Sequence, residues 1–446
     1  MRPHHPGPSR REALRVLGLT GLGLAAAPAL AACGRDTAPP LSSGKAALRF
    51  WTHDPGYSKT FQAALRRPAL MQGSRFRYTL NVTQSNPTDL VTRLVAQAIA
   101  DGDTPDLVGM VVDQFPRVMR DDLAGRLFTD LTATVAPHHA DLLKLPSYSI
   151  AGTPYCLESD NSVSVYYYRH DEFARHGIPH DLDTWEELAE AGAGLHRRTG
   201  QYLGMVSTGN TSNACFTFFQ FLLQRGGQVF DEHARLRLDS PEAVQTLTFL
   251  RDGVRSGFLV PLIDPYGSAC AAALKSGRLI GTAMPNWYNQ YGLQANCPEQ
   301  KGKWRLRLLP RFAAGGHTAS TWGGTAFCVV KDKPGSQAAL ELLRRVYLTR
   351  AGQILRYRTG GYLPTLRSLY RDPAFTGVQD AYLGGQRVFD VYAQAAADLP
   401  AYYQSPDTRI LTDVLGGHVL DAVLGRAEPA AALRAGLDDY REQVKR

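Results

Sequence analysis

Hydrophobic and polar positions follow two periods along most of the chain. Residues 46–51 form a short apolar run that reads as a strand. A Pro55-Gly56 turn separates it from a helix over residues 58–67 and an alternating strand over residues 75–83. Pro87 stands where a first helical residue would, and Leu90, Leu94, Val95, Ala98 and Ile99 recur at helical spacing until Gly102 ends the run. Residues 106–112 are nearly continuously apolar, as in a strand covered on both faces of a parallel sheet. Strand, helix, strand, helix, strand predicts an α/β fold.

Further along, residues 163–167 read as a strand, and Asp183 or Thr184 as the cap of a helix whose first turn carries Glu186 and Glu187. Residues 213–224, 241–255, 268–275, 335–348 and 411–424 hold apolar side chains at helical spacing, and residues 279–283, 304–309 and 325–330 predict short strands between them.

The start of the chain follows another pattern. Arg10-Arg11 precede residues 16–32, which carry no charge at all, a basic region followed by an apolar one as in an export signal. The arginine pair and the Gly- and Ala-rich run resemble a twin-arginine leader. Leu30-Ala31-Ala32-Cys33 resembles the lipobox at which bacterial lipoproteins are cleaved and acylated, which makes Cys33 the lipidated first residue of the mature chain. A membrane-spanning helix fits less well, because Gly18, Gly21, Gly23 and Pro28 interrupt a run already short of the roughly 20 apolar residues a bilayer needs. Residues 33–45 read as a flexible tether.

Composition narrows the picture. With 446 residues, 44% of them hydrophobic and 20% charged, the chain is too long for one compact domain and too apolar for disorder. Its 49 Lys plus Arg against 41 Asp plus Glu give a net charge of +8, which alone suggests a polyanionic partner. Arg2, Arg10, Arg11 and Arg15 against Glu12 put three of those charges in the leader, and the remaining +5, read as spread along the mature chain, argues against nucleic acid. Beyond Cys33 there are five cysteines, Cys156, Cys215, Cys270, Cys297 and Cys328, an odd number at wide spacings, so at most two bridges and at least one thiol are expected, with the pairing open. His138-His139 with Asp141 lacks a third ligand at a suitable spacing, so neither a metal nor a cofactor is expected.

Several segments, in order, resemble the family 1 extracellular solute-binding proteins, carbohydrate-binding lipoproteins of bacterial ABC importers. They include Thr104-Pro105-Asp106-Leu107-Val108, the stretch from Pro154 through Tyr166-Tyr167-Tyr168-Arg169 and Gly177-Ile178-Pro179 to Thr184-Trp185-Glu186-Glu187-Leu188, Gly277-Arg278 through Ala283-Met284, Trp322-Gly323-Gly324-Thr325, and Gly361-Tyr362-Leu363-Pro364-Thr365. Cys156-Leu157-Glu158 departs from the family's more usual A-L-P. The resemblance implies a two-lobed periplasmic-binding-protein-like fold with the ligand in the cleft between lobes, a monomer exported and tethered to the outer face of the membrane. Its implied partners are a sugar and the importer's permease subunits. Residues 46–157 with 279–327 are expected to form one lobe, and 158–278 with 328–446 the other.

A sugar presents hydroxyls and flat C–H faces, so its site needs carboxylates, amides and aromatic rings. Strand ends facing the cleft supply Trp51, Asp54, Gln84, Asn86, Asp113 and Gln114, and the first crossing supplies Glu158, Ser159 and Asp160. Asn210, Trp287, Tyr288, Trp322, Gly323 and Tyr362 complete the candidate ligand-binding set. No catalytic residue is expected. The main rival is a secreted glycoside hydrolase that uses Glu158 and Asp160 as its two carboxylates; a second is a binding protein for a non-sugar solute such as a peptide or a sugar phosphate, although no glycine-rich strand-to-helix loop with Lys or Arg stands out for a phosphate.

Overall fold

Parallel pairing joins the strand Gly44–Thr52 to Phe76–Gln84 along its whole length, from Gly44 opposite Phe76 to Thr52 opposite Gln84. These elements belong to a computed structural model that describes residues 39–445 apart from Asp101. The expected export signal at residues 1–32, the expected lipidation residue Cys33 and the first part of the expected tether lie outside the described residues. The tether expected through residue 45 ends sooner, because Gly44 already opens the first strand and its N–H donates to Arg75 O at 2.9 Å.

On its other side the first strand pairs with Leu107–Val111, also parallel. Thr325–Val329 then adds antiparallel to Leu107–Val111, and Leu157–Glu158 closes the five-stranded sheet. The helices Pro55–Leu65 and Pro87–Ile99 are the crossovers of this sheet, capped by Asp54 and Asn86 and started by prolines. Core side chains such as Leu48, Phe50, Leu107 and Phe327 are fully buried.

A second sheet centres on Val163–Arg169, which pairs antiparallel with Gly281–Pro285, Trp304–Arg307 and Ser320–Thr321. Tyr166, Tyr167 and Tyr168 are all buried. Elements cover both faces: Tyr166 meets Trp185 edge-on, and Tyr167 faces Tyr288. Thr184 caps the helix Trp185–Thr199 in a full capping box with Glu187.

The lobe division differs from the expected one. Residues 281–321 were assigned with the first strands, yet their strands all pair with Val163–Arg169. Only Thr325–Val329 returns to the first sheet. The C-terminal segment is itself divided: the helices Ser336–Tyr347 and Arg350–Gly360 pack on the first strand and first helix, while Val388–Ala397 packs on Val163–Arg169 and Thr408–Val423 packs on Thr211–Arg225. Strand pairing between distant segments decides this, and local periodicity carries no record of it.

Two neighbouring crossings connect the sheets. Residues 159–162 run from Glu158 to Val163, and residues 322–324 run back from Thr321 to Thr325, joined by Ser159 N to Thr325 O at 2.7 Å and Trp322 N to Ser162 O at 3.4 Å. Ser162, Gly323 and Gly324 all have positive φ. Gly324 has φ 112°, a backbone conformation that residues with side chains rarely adopt, so this position requires glycine. Cys156 and Cys328 face each other across the paired strands that lead into these crossings and form a disulfide, while Cys215, Cys270 and Cys297 are buried thiols.

Candidate functional site

The carboxyl ends of the first sheet's parallel strands meet the second sheet's loops around a cavity of about 690 Å³, within the usual range for small-molecule sites. The first lobe contributes His53, Asp54 and Tyr57 from the first strand–helix turn, Pro87 from the next, and Val111, Val112 and Asp113 after the third strand. The second lobe contributes Asn213 and Phe216 from one helix, Tyr266 from a turn, and Trp287 and Tyr291 from the segment after Gly281–Pro285. Asp160, Trp322, Gly323, Gly324 and Thr325 line it from the crossings, and Tyr362 from the loop after Arg350–Gly360.

Three carboxylates reach the wall, and two are committed to the protein. Asp54 Oδ1 caps its helix through Gly56 N at 2.7 Å, and its Oδ2 accepts the hydroxyls of Tyr362 at 2.6 Å and Tyr291 at 3.0 Å. Asp160 Oδ1 accepts Ser162 N at 3.0 Å and the Ser162 hydroxyl, and its Oδ2 accepts Tyr57 Oη at 2.9 Å. Asp113 differs. Its Oδ2 accepts Gln114 Nε2 at 3.1 Å, but its Oδ1 is buried without a hydrogen-bond partner among the described residues. Burial pushes the Asp113 carboxyl above its ordinary value. His53 Nδ1 is likewise buried and unpartnered, and burial lowers its pKa against the opposing pull of Asp54 and Asp160, so the ring is neutral at pH 7. Buried polar atoms ordinarily find partners, and both of these unpartnered atoms belong to residues that line the cavity. No lysine or arginine is among the lining residues.

Beneath the wall, Lys144 is buried and its Nζ donates to Thr321 Oγ1 at 2.9 Å and Gly323 O at 2.7 Å, which ties one crossing to the first lobe. Burial lowers its pKa to about 8.

Of the sequence-derived candidates, Asp54, Asp113, Asp160, Trp287, Trp322, Gly323 and Tyr362 line the cavity. Five do not. Trp51 is buried in the core, with the Arg93 guanidinium 4.5 Å from its ring centroid. Gln84 is exposed beside His53, its Nε2 donating to His53 O at 3.4 Å. Asn210 is spent as a helix cap, its Oδ1 accepting Asn213 N at 2.7 Å. Tyr288 is wholly buried, its hydroxyl donating to Pro265 O at 3.0 Å. Glu158 is wholly buried and accepts Leu143 N at 2.7 Å and Lys144 N at 2.8 Å, so the Glu158–Asp160 pair of the hydrolase reading does not face the cavity together.

His53, Tyr57, Asn213, Phe216, Tyr266 and Tyr291 line the cavity without having been expected there. His53 and Tyr57 flank Asp54 and carried a signal, since a strand end followed by a helix start projects its neighbours the same way. The Asp264-Pro265-Tyr266-Gly267 turn was legible as a turn. Tyr291 stands on a short π-helical turn, Asn289–Gln294, that no sequence period announces.

A family profile described as "Bacterial extracellular solute-binding protein" matches residues 59–381. The arabinooligosaccharide-binding protein of Halalkalibacterium halodurans is 25% identical over 349 residues, covering 75% of this chain and 77% of that one. The cyclic alpha-maltosyl-1,6-maltose binding protein from Arthrobacter globiformis superposes with a TM-score of 0.73 at 20% identity, over 91% of this chain and 99% of that one. The ABC transporter associated binding protein from B. animalis subsp. lactis Bl-04, solved with beta-1,6-galactobiose, gives 0.70 at 19% identity over 89% and 98%. The two-lobed fold therefore extends over nearly the whole chain.

Proposed function

Because the chain belongs to the bacterial extracellular solute-binding protein family, we propose that it captures a mono- or oligosaccharide between its lobes and delivers it to the permease of an ABC importer. One observation carries the reading: an aromatic-walled cavity at the lobe junction holds a buried carboxylate oxygen, Asp113 Oδ1, that lacks a partner among the described residues. Trp287, Trp322 and Tyr266 are suited to cover a sugar's C–H faces, while Asp113, His53 and Asn213 meet its hydroxyls. The absence of cationic side chains from the wall favours an uncharged ligand. The oligosaccharides in the relatives' names support a ligand longer than one ring.

Ligand contact with both lobes favours the closed form, with the crossings at residues 159–162 and 322–324 as hinges, and the closed shape is what the permease reads. The leader directs export, and acylation of Cys33 tethers the mature chain to the outer face of the cytoplasmic membrane. No helix among the described residues is long and apolar enough to cross a membrane. Relatives named as binding proteins support a role without catalysis.

A thermal-shift screen across mono- and oligosaccharides, followed by calorimetry, tests this reading. Stabilisation by a sugar that is recovered unchanged supports it. A change in sugar composition on incubation replaces it with hydrolysis, and no response to any sugar overturns the ligand class.

A further inference from the structure

The +5 of the mature chain is not spread out. Residues 39–80 hold Lys45, Arg49, Lys59, Arg66, Arg67, Arg75 and Arg77 against the single acid Asp54, so this one strand–helix–strand segment carries more than the whole mature excess. The fold then gathers most of these residues at one end of the first lobe. Lys45 and Arg77 are direct partners in the parallel register and both are exposed. Like charges side by side on neighbouring strands are destabilising, so the fold itself gains nothing from the pair. Arg66 and Arg67 follow the helix Pro55–Leu65, which begins at the cavity and runs back to this same end. Contiguity is explicit: Arg345 donates to Leu70 O at 3.0 Å and Gln72 O at 2.9 Å and pairs with Glu341 at 3.1 Å, and Glu341 also takes Arg75 at 3.2 Å. Lys45, Arg66, Arg67, Arg77 and Arg344 form no ion pair with any described residue.

We infer that this basic end of the first lobe is a docking surface for an anionic phospholipid bilayer. The described chain enters the fold here: Leu41 N donates to Pro334 O at 3.0 Å, and Gly44 N to Arg75 O. The inference rests on the proposed acylation of Cys33, which places this end, rather than the cavity end, within a short tether of the membrane. The first strand runs from Gly44 here to Thr52 at the cavity, so contact holds the cavity about 30 Å from the lipid. Charges within a Debye length of an anionic surface add about fivefold in partitioning per Lys or Arg.

The test uses the mature chain from Gly34, which retains the whole compact unit Pro39–Arg446 and carries no acyl group. It is sedimented with vesicles of phosphatidylcholine alone or with about 30 mol% phosphatidylglycerol, at about 0.05 M and about 0.5 M salt. The expected result is binding to the anionic vesicles only, lost at high salt and reduced at least tenfold in Arg66→Glu/Arg67→Glu/Arg77→Glu, with sugar affinity unchanged. Should that variant misfold, Lys45→Gln/Arg77→Gln gives the same comparison with a smaller loss. Equal binding to both vesicle types, or anionic binding that survives the substitutions, overturns the inference, and salt-sensitive binding to an acidic protein but not to lipid overturns it in favour of a protein partner. The anchor reading fails separately: membrane fractionation of cells expressing the full chain or Cys33→Ser shows whether acylation occurs, whatever the vesicles report.

Discussion

Tyr57 and Tyr362 stack face to face at the cavity, ring centroids 4.5 Å apart and planes within 15°, and each hydroxyl ends on a different aspartate. Tyr57 donates to Asp160 in the crossing, and Tyr362 to Asp54 at the first helix cap. The stack thus joins the first helix, the hinge and the loop after Arg350–Gly360, and it occupies two of the three wall carboxylates. The wall carboxylate left with an oxygen unpartnered among the described residues is Asp113.

Asp113→Asn is expected to lower sugar affinity at least tenfold, about 1.5–3 kcal/mol for a hydrogen bond to a charged group, while the melting temperature stays near that of the wild type. Calorimetry checks it, and unchanged affinity removes Asp113 from the site.

Trp322 is only 7% exposed and packs in the core, so its loss is expected to cost about 3–5 kcal/mol of stability as well as affinity. Trp287, half-buried against Tyr266 at 5.6 Å, separates the two effects: Trp287→Ala should weaken sugar binding about tenfold or more with a smaller loss in urea unfolding than Trp322→Ala. The reverse order of stability losses would contradict this.

Tyr291 reaches from the second lobe to Asp54 in the first at 3.0 Å. Tyr291→Phe removes that bond and keeps the ring, so the ligand-free protein should populate more open forms. Small-angle scattering should show a larger radius of gyration without sugar and an unchanged one with it; identical ligand-free profiles would rule out a bridging role.

The Cys156–Cys328 bridge closes a separation of 172 residues. Restricting an unfolded loop of that size is worth about 3–5 kcal/mol. Cys156→Ser/Cys328→Ser should lower the urea midpoint accordingly, and reductant should do the same to the wild type but not to the variant.

Burial pushes the Glu158 carboxyl up to about 8 from 4.5. The unfolded chain therefore releases this proton first, and the stability it contributes is full below pH 4.5 and lost as pH rises toward about 8. Glu158→Gln cannot titrate and sets an amide against one of two N–H donors, a cost of about 1–3 kcal/mol. The wild type's advantage in melting temperature over Glu158→Gln should therefore shrink from pH 5 to pH 8. A constant difference would mean that Glu158 does not titrate there.

The same contrast of local and distant causes separates what was legible in the chain. Each strand or helix read from periodicity appears within a few residues, because period and capping are local: Asn86 and Thr184 cap their helices whatever lies beyond. Asp54 both caps its helix and lies on the cavity wall. The helices Arg350–Gly360, Val388–Ala397 and Pro429–Val444 are not among the elements that periodicity predicts.

The sequence by itself determined the α/β class, the family and the strand ends from which a site is built. Only the tertiary structure decided which aromatic ring faces the cavity. Both faces of the first sheet are covered, so Phe50 and Trp51 are both buried, and alternation along the strand does not mark the cavity, which lies at the strand ends. Only pairing between distant segments moved residues 281–321 into the second sheet, joined Cys156 to Cys328, and set Lys45 beside Arg77. Such pairings are fixed by the packing of the whole chain, and no window of sequence contains both partners.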